Sequence, residues 1–199
     1  GLKEKTLIIG FTWKQNEYLW ESIFCIDKLK QLKCEVTNWE QVDSWIYDIL
    51  EKFKSNDNFT TKLYYSDHST KTWIDPALEY IKNNKNKFNK IVIVWHSLWW
   101  DNAVILSNKL NDNDINVDLL ITMDIKSVYE NDTIQKNVSS AINYYQTNQF
   151  LEWDDLEASF FNNNSTIRNI NFNTYNWNEV THKSIDNDLV ENVYNLILK

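Results

Sequence analysis

Glycine is nearly missing from this chain: two occur in 199 residues, where average usage of roughly 7% would supply about 14. Glycine provides positive φ and close backbone approach, so a fold with many short connections is left with few places to obtain either. Proline occurs once and cysteine twice. Cys25 falls in a helical apolar pattern and reads as a buried thiol, and no Cys/His group has metal-ligand spacing. No apolar run approaches ~18 residues, so no membrane span is expected. Positive charge is in deficit, with a net charge of −8, which argues against nucleic acid or an anionic membrane as partner. These features lean toward a cytoplasmic protein. The first residue is Gly1, so a leader removed ahead of it would leave no trace.

What is present fits one domain over residues 1–199, with 43% hydrophobic and 24% charged residues and length enough for a sizeable core. The apolar run Thr6 to Phe11 reads as a buried strand. Apolar stripes at helical spacing follow over 17–32 and 39–53. Residues 61–65 are a strand candidate, and 75–83 a helix with Asp75 as N-cap and Pro76 in the first turn. Lys90 to Val94 is the strongest strand signal, followed by a helix over 97–110. Val117 to Met123 is another strand, 132–145 a helix, 165–173 a later strand and 186–198 a final helix. Asn162, Asn163 and Asn164 read as loop, as do residues 176–184. Strands alternating with helices imply an α/β fold, a mostly parallel sheet with helices on both faces. Ligands in such folds bind beyond the carboxyl ends of the strands.

Three chemically capable side chains fall at or near such ends. Ser97 sits where the strand running to Val94 turns into a helix. A hydroxyl there stands above the sheet, with free N–H groups and a favourable field for developing negative charge. Ser97 also suits a plain N-cap. Asp124 closes the strand ending at Met123, and His182 lies in the loop before the last helix. Ser, acid, His is the chain order of an α/β hydrolase, in which the imidazole takes the hydroxyl proton and the acid fixes its tautomer. Of the other histidines, His96 neighbours Ser97 and should point away from it, while His68 lies in a Ser-Asp-His-Ser loop. Asp154, Asp155 and Asp186 compete with Asp124, and Asp186 suits a helix cap better. The Leu98 N–H would be one oxyanion donor, with a second from the chain around Phe11 and Thr12.

The segment Trp95-His96-Ser97-Leu98-Trp99-Trp100 resembles the G-H-S-L-G-G segment of lipase-like bacterial α/β hydrolases. The start of the following helix (Asn102, Ala103, Val104), residues 117–124, residues 137–146 and residues 180–186 are also similar to segments of that family. The resemblance covers residue 90 onward. It implies a serine hydrolase of carboxylic esters that works through an acyl-enzyme with no cofactor and a small-molecule ester as substrate. Trp95 and Trp99 stand where that family has glycine around its strained turn, so the G-x-S-x-G signature is absent. Two rival readings follow: a catalytically impaired hydrolase-like domain with a binding or structural role, and a doubly wound nucleotide or phosphate binder using the Ser97 turn.

The ten tryptophans make a pattern of their own. Read as glycine, Trp39 and Trp177 give Asn-Gly turns, Trp153 gives Gly-Asp-Asp, and Trp13 gives Gly-Phe-Thr-Gly after the first strand. Trp20 and Trp45, in helical patterns, fit less well. The expectation is that glycine codons are translated, or transcribed on paper, as tryptophan.

Overall fold

The computed structural model describes residues 5–13, 45–66, 74–96, 102–125, 133–148, 155–181 and 184–199. Six parallel strands form one sheet in the order β2-β1-β3-β4-β6-β8. In chain order the elements are β1 (Thr6–Trp13), α1 (Trp45–Lys54), β2 (Phe59–Ser66), α2 (Ile74–Asn84), β3 (Lys90–His96), α3 (Asn102–Asn111) and β4 (Val117–Met123). Then come β5 (Thr133–Ile134), β6 (Val138–Tyr145), β7 (Glu157–Ala158), β8 (Thr166–Asn171), β9 (Thr174–Tyr175), β10 (Asn178–Glu179) and α4 (Ile185–Ile197). The expected α/β class, with a mostly parallel sheet and helices on both faces, is what forms.

Alternation along the strands sorts the two faces. Leu7, Ile9 and Phe11 of β1 and Ile91, Ile93 and Trp95 of β3 are buried with α2 and α3, through Ala77, Ile81, Val104 and Leu110. Ile8, Val92 and Val94 point the other way, into a core shared with Ile49, Leu50 and Phe53 of α1 and Leu189, Val193 and Ile197 of α4. The central strands are therefore apolar on both sides, which is why they read as continuous runs rather than alternating ones. Gly10 lets α1 lie close on this second face. A Cβ there would come within 2.5 Å of Ile46 Cγ2 and 2.9 Å of Leu50 Cδ1.

Polar side chains fasten the ends of the layers. Asp118 of β4 accepts the Ile91 N–H of β3 at 2.7 Å. Lys90 Nζ donates to the Ile197 carbonyl at 3.0 Å, so α4 finishes near the amino end of β3 and runs against the strands. Asn137 Nδ2 bridges the carbonyls of Ser107 and Ile115 at 3.0 and 2.9 Å, joining α3 to the start of β4. Among the described residues no helix is long and apolar enough to cross a membrane.

Residues 132–145 do not form the expected helix: residues 133–145 contain β5, a turn and the interior strand β6. Val138, Ala141, Ile142 and Tyr144 are buried on both faces of the sheet, so their spacing carries no two-residue alternation to betray a strand. Once the chain is inserted between β4 and β8, the β-branched and aromatic side chains suit the pleated surface better than a helix. Two caps also differ. Asp75 lies inside α2 rather than before it, and Ser184, not Asp186, precedes α4. The stretch 176–184, expected as loop, contains β10 of a short hairpin. The expected helix over 17–32 lies outside the described residues.

Candidate active site

The strand order reverses direction between β1, flanked by β2, and β3. In open parallel sheets this switch point opens a crevice beyond the carboxyl ends of the two strands. β3 ends there at His96, the residue before Ser97. Register carries the same edge into β4, because His96 lies opposite Met123. The residue after Met123 is Asp124, so β3 and β4 end level, one leading to the candidate nucleophile and the other to the candidate acid.

Asp124 is fully buried and adopts a left-handed backbone, with φ of 46°, a conformation that Asp and Asn tolerate better than most residues. Its N–H donates to the Tyr144 carbonyl at 2.7 Å, which holds the turn against β6. Both carboxylate oxygens are engaged by one residue. The Gln146 N–H donates to Oδ1 at 2.9 Å and Gln146 Nε2 to Oδ2 at 3.0 Å. A buried carboxylate needs such donors to offset lost hydration, and the two bonds leave lone pairs for a further partner.

Gln146 itself was not anticipated. It follows Tyr145, the last residue of β6, and reading that segment as a helix concealed that it would leave the sheet beside Asp124. Its Oε1 accepts the Asn148 N–H at 2.9 Å. Asn148 Nδ2 in turn donates to the carbonyls of Asn173 and Val180 at 2.6 and 2.8 Å. The loop after β6 is thus pinned to the chain that follows β8 and precedes α4. Thr181 and Ser184, which flank residues 182–183, lie at this same edge: the Val180 N–H binds the Asn173 carbonyl, and the Ser184 N–H binds the Thr181 carbonyl.

Beside Asp124, on the α2/α3 face, one row of side chains crosses the sheet. Tyr64 lies opposite Phe11, Trp95 opposite Thr122, Thr122 opposite Asn143 and Asn143 opposite Asn169. The left half is aromatic, with Phe11 tilted against Tyr64 and edge-on to Trp95. The right half is polar: Thr122 Oγ1 donates to Asn143 Oδ1 at 3.0 Å, and Asn143 Nδ2 to Asn169 Oδ1 at 3.3 Å. Asn169 then clasps the backbone of Leu156 in both directions.

Ser97, Leu98, His182, His68 and Asp154 lie outside the described residues, as do Trp39, Trp99 and Trp153. Asp155 is exposed. Phe11 is buried in the expected strand, but β1 continues through Thr12 to Trp13, so Phe11 is an interior strand residue rather than part of the loop expected to supply the second oxyanion donor. Trp95 is 1% exposed, and its Nε1–H has no hydrogen-bond partner among the described residues. Among the described residues no group of His, Cys, Asp and Glu could hold a metal ion. No family model matches the chain, and no curated protein or solved structure does.

Proposed function

We propose that this chain is a serine hydrolase of carboxylic esters, with Ser97 as nucleophile, His182 as base and Asp124 as acid. One observation carries the reading. A buried, doubly hydrogen-bonded carboxylate sits at the carboxyl edge of the sheet, level with the strand end that leads to Ser97 and on the edge to which Thr181 returns the chain. The chain order Ser, Asp, His supports the same assignment.

In this mechanism Ser97 Oγ attacks the acyl carbon while His182 takes the hydroxyl proton. Asp124 orients the imidazole and stabilises its charged form. The oxyanion is held by the Leu98 N–H and by an N–H at the end of β1. His182 passes its proton to the leaving alkoxide, which departs as the alcohol, and water then releases the acid from the acyl-enzyme. All the groups required belong to the protein, and the substrate is a small ester.

A fluorophosphonate probe tests the proposal. It should label the wild type and fail to label Ser97→Ala. Absence of labelling in a folded wild type would instead support a hydrolase-like domain with a binding role. Trp95, buried at the end of β3, is the observation that favours this second reading, because it fills space that the related turn keeps open.

A further inference from the structure

Resting on the hydrolase reading, we infer that Gln146 is the positioning residue of the acid: it holds the Asp124 carboxylate in one orientation, and Asn148 fixes the direction in which the Gln146 amide points. The amide has two ends of opposite character, and only the Nε2 end can donate to a carboxylate. Its Oε1 is occupied by the Asn148 N–H at 2.9 Å, while Nε2 meets Asp124 Oδ2 at 3.0 Å. A flipped amide would set oxygen against oxygen at Asp124 and nitrogen against an N–H at Asn148, losing both bonds. The assignment of the two ends is therefore decided by the network.

The Gln146 side chain adds a second clamp to the one made by its own backbone N–H on Oδ1. Two bonds to separate oxygens fix rotation about χ2 of Asp124, which one bond would not. Asn148 is held in turn by the Asn173 and Val180 carbonyls, so the clamp is referenced to the chain leading into α4. A carboxylate that must orient an imidazole gains from this, because displacement of a catalytic group by about 1 Å can cost on the order of a hundredfold in rate. Gln146 is fully buried, and in this role it touches neither the substrate nor the reacting atoms.

The test compares the wild type, Gln146→Leu and Asn148→Ala in hydrolysis of a short p-nitrophenyl ester, after fluorophosphonate labelling of the wild type and Ser97→Ala. Native circular dichroism is required of each variant. Gln146→Leu is expected to lower kcat by roughly ten- to a hundredfold while KM stays within about twofold, with Asn148→Ala losing kcat in the same pattern to a lesser degree. A folded Gln146→Leu whose kcat matches the wild type overturns the inference and leaves the hydrolase reading standing. If Gln146→Leu fails to fold, Asn148→Ala decides by the same criterion. A wild type that takes no label overturns the hydrolase reading, and the inference falls with it.

Discussion

Trp95 meets Phe11 edge to face, with ring centroids 5.9 Å apart and planes at 75°. This contact joins the two strands that border the switch point, and it places an indole where the resemblance calls for glycine. The geometry is the favourable one for a pair of aromatic rings. It comes with a defect, since the buried indole N–H has no partner among the described residues.

Trp95→Phe removes that N–H while retaining a ring against Phe11. Relief of a buried unpaired donor, worth about 1–3 kcal/mol, should offset most of the lost packing and leave stability within about 1 kcal/mol of the parent. Phe11→Ala, with no such compensation, should cost about 3–5 kcal/mol. Urea midpoints at constant slope give both numbers. A loss above ~3 kcal/mol for Trp95→Phe would mean that the N–H is better satisfied than its surroundings indicate.

Trp177 should be more stable as glycine. The hairpin between β9 and β10 has a two-residue loop, Asn176 and Trp177, with φ of 48° and 68°. Positive φ at both positions is the turn for which Asn-Gly is the preferred pair. The tryptophan side chain is fully exposed, so it gains no packing in return for a left-handed backbone that costs a non-glycine residue roughly 1–2 kcal/mol. Trp177→Gly should raise the unfolding free energy by about 1 kcal/mol, whereas Trp177→Ala should not. Intact mass of the protein from its native source, set beside the codons of the gene, tests the broader expectation that glycine belongs at these positions. Ordinary tryptophan codons would end it.

Alkaline stability should depend on Tyr144. Burial pushes its phenol above the ordinary value of 10.0, and the Arg168 charge opposes this more weakly. A raised folded pKa means that the neutral phenol is favoured in the native state. The contribution is therefore complete below pH ~10 and is lost as pH rises through the folded value. Unfolding free energy measured from pH 9 upward should fall, and Tyr144→Phe should flatten that fall. Identical slopes for parent and variant would exclude Tyr144 as the source.

The sheet was legible wherever strands are short, apolar and bounded by charge, as at β1, β3 and β4. Interior strands without alternation were legible only when β-branched residues dominated them. Lys90 to Val94 met that condition. Residues 138–145, with Ser139, Ser140 and Asn143 interspersed, did not, and the buried Asn143 is satisfied across the sheet by Thr122 and Asn169 in a way that no local pattern records. Asp124 could be found because it ends a recognisable strand. Gln146 could not, since its importance depends on two strand ends being neighbours, and neighbourhood is a property of topology. The loop assignment of Asn162 held, yet the residue is buried and its Nδ2 donates to the Ile134 carbonyl and to Ser165, which polarity alone would not suggest.

α4 is made after all six strands of the sheet, yet it covers a face to which β1, near the start of the chain, already contributes Ile8. Its four inward residues, Ile185, Leu189, Val193 and Ile197, each bury side chains worth roughly 1.5–3 kcal/mol, a sum comparable to the whole stability of an ordinary domain. During synthesis, α1 can cover Ile8 early, but the part of this face over β4, with Ile121, must wait uncovered until α4 clears the ribosome. A nascent chain halted before residue 185 would offer that apolar face to chaperones or to its neighbours on the same message.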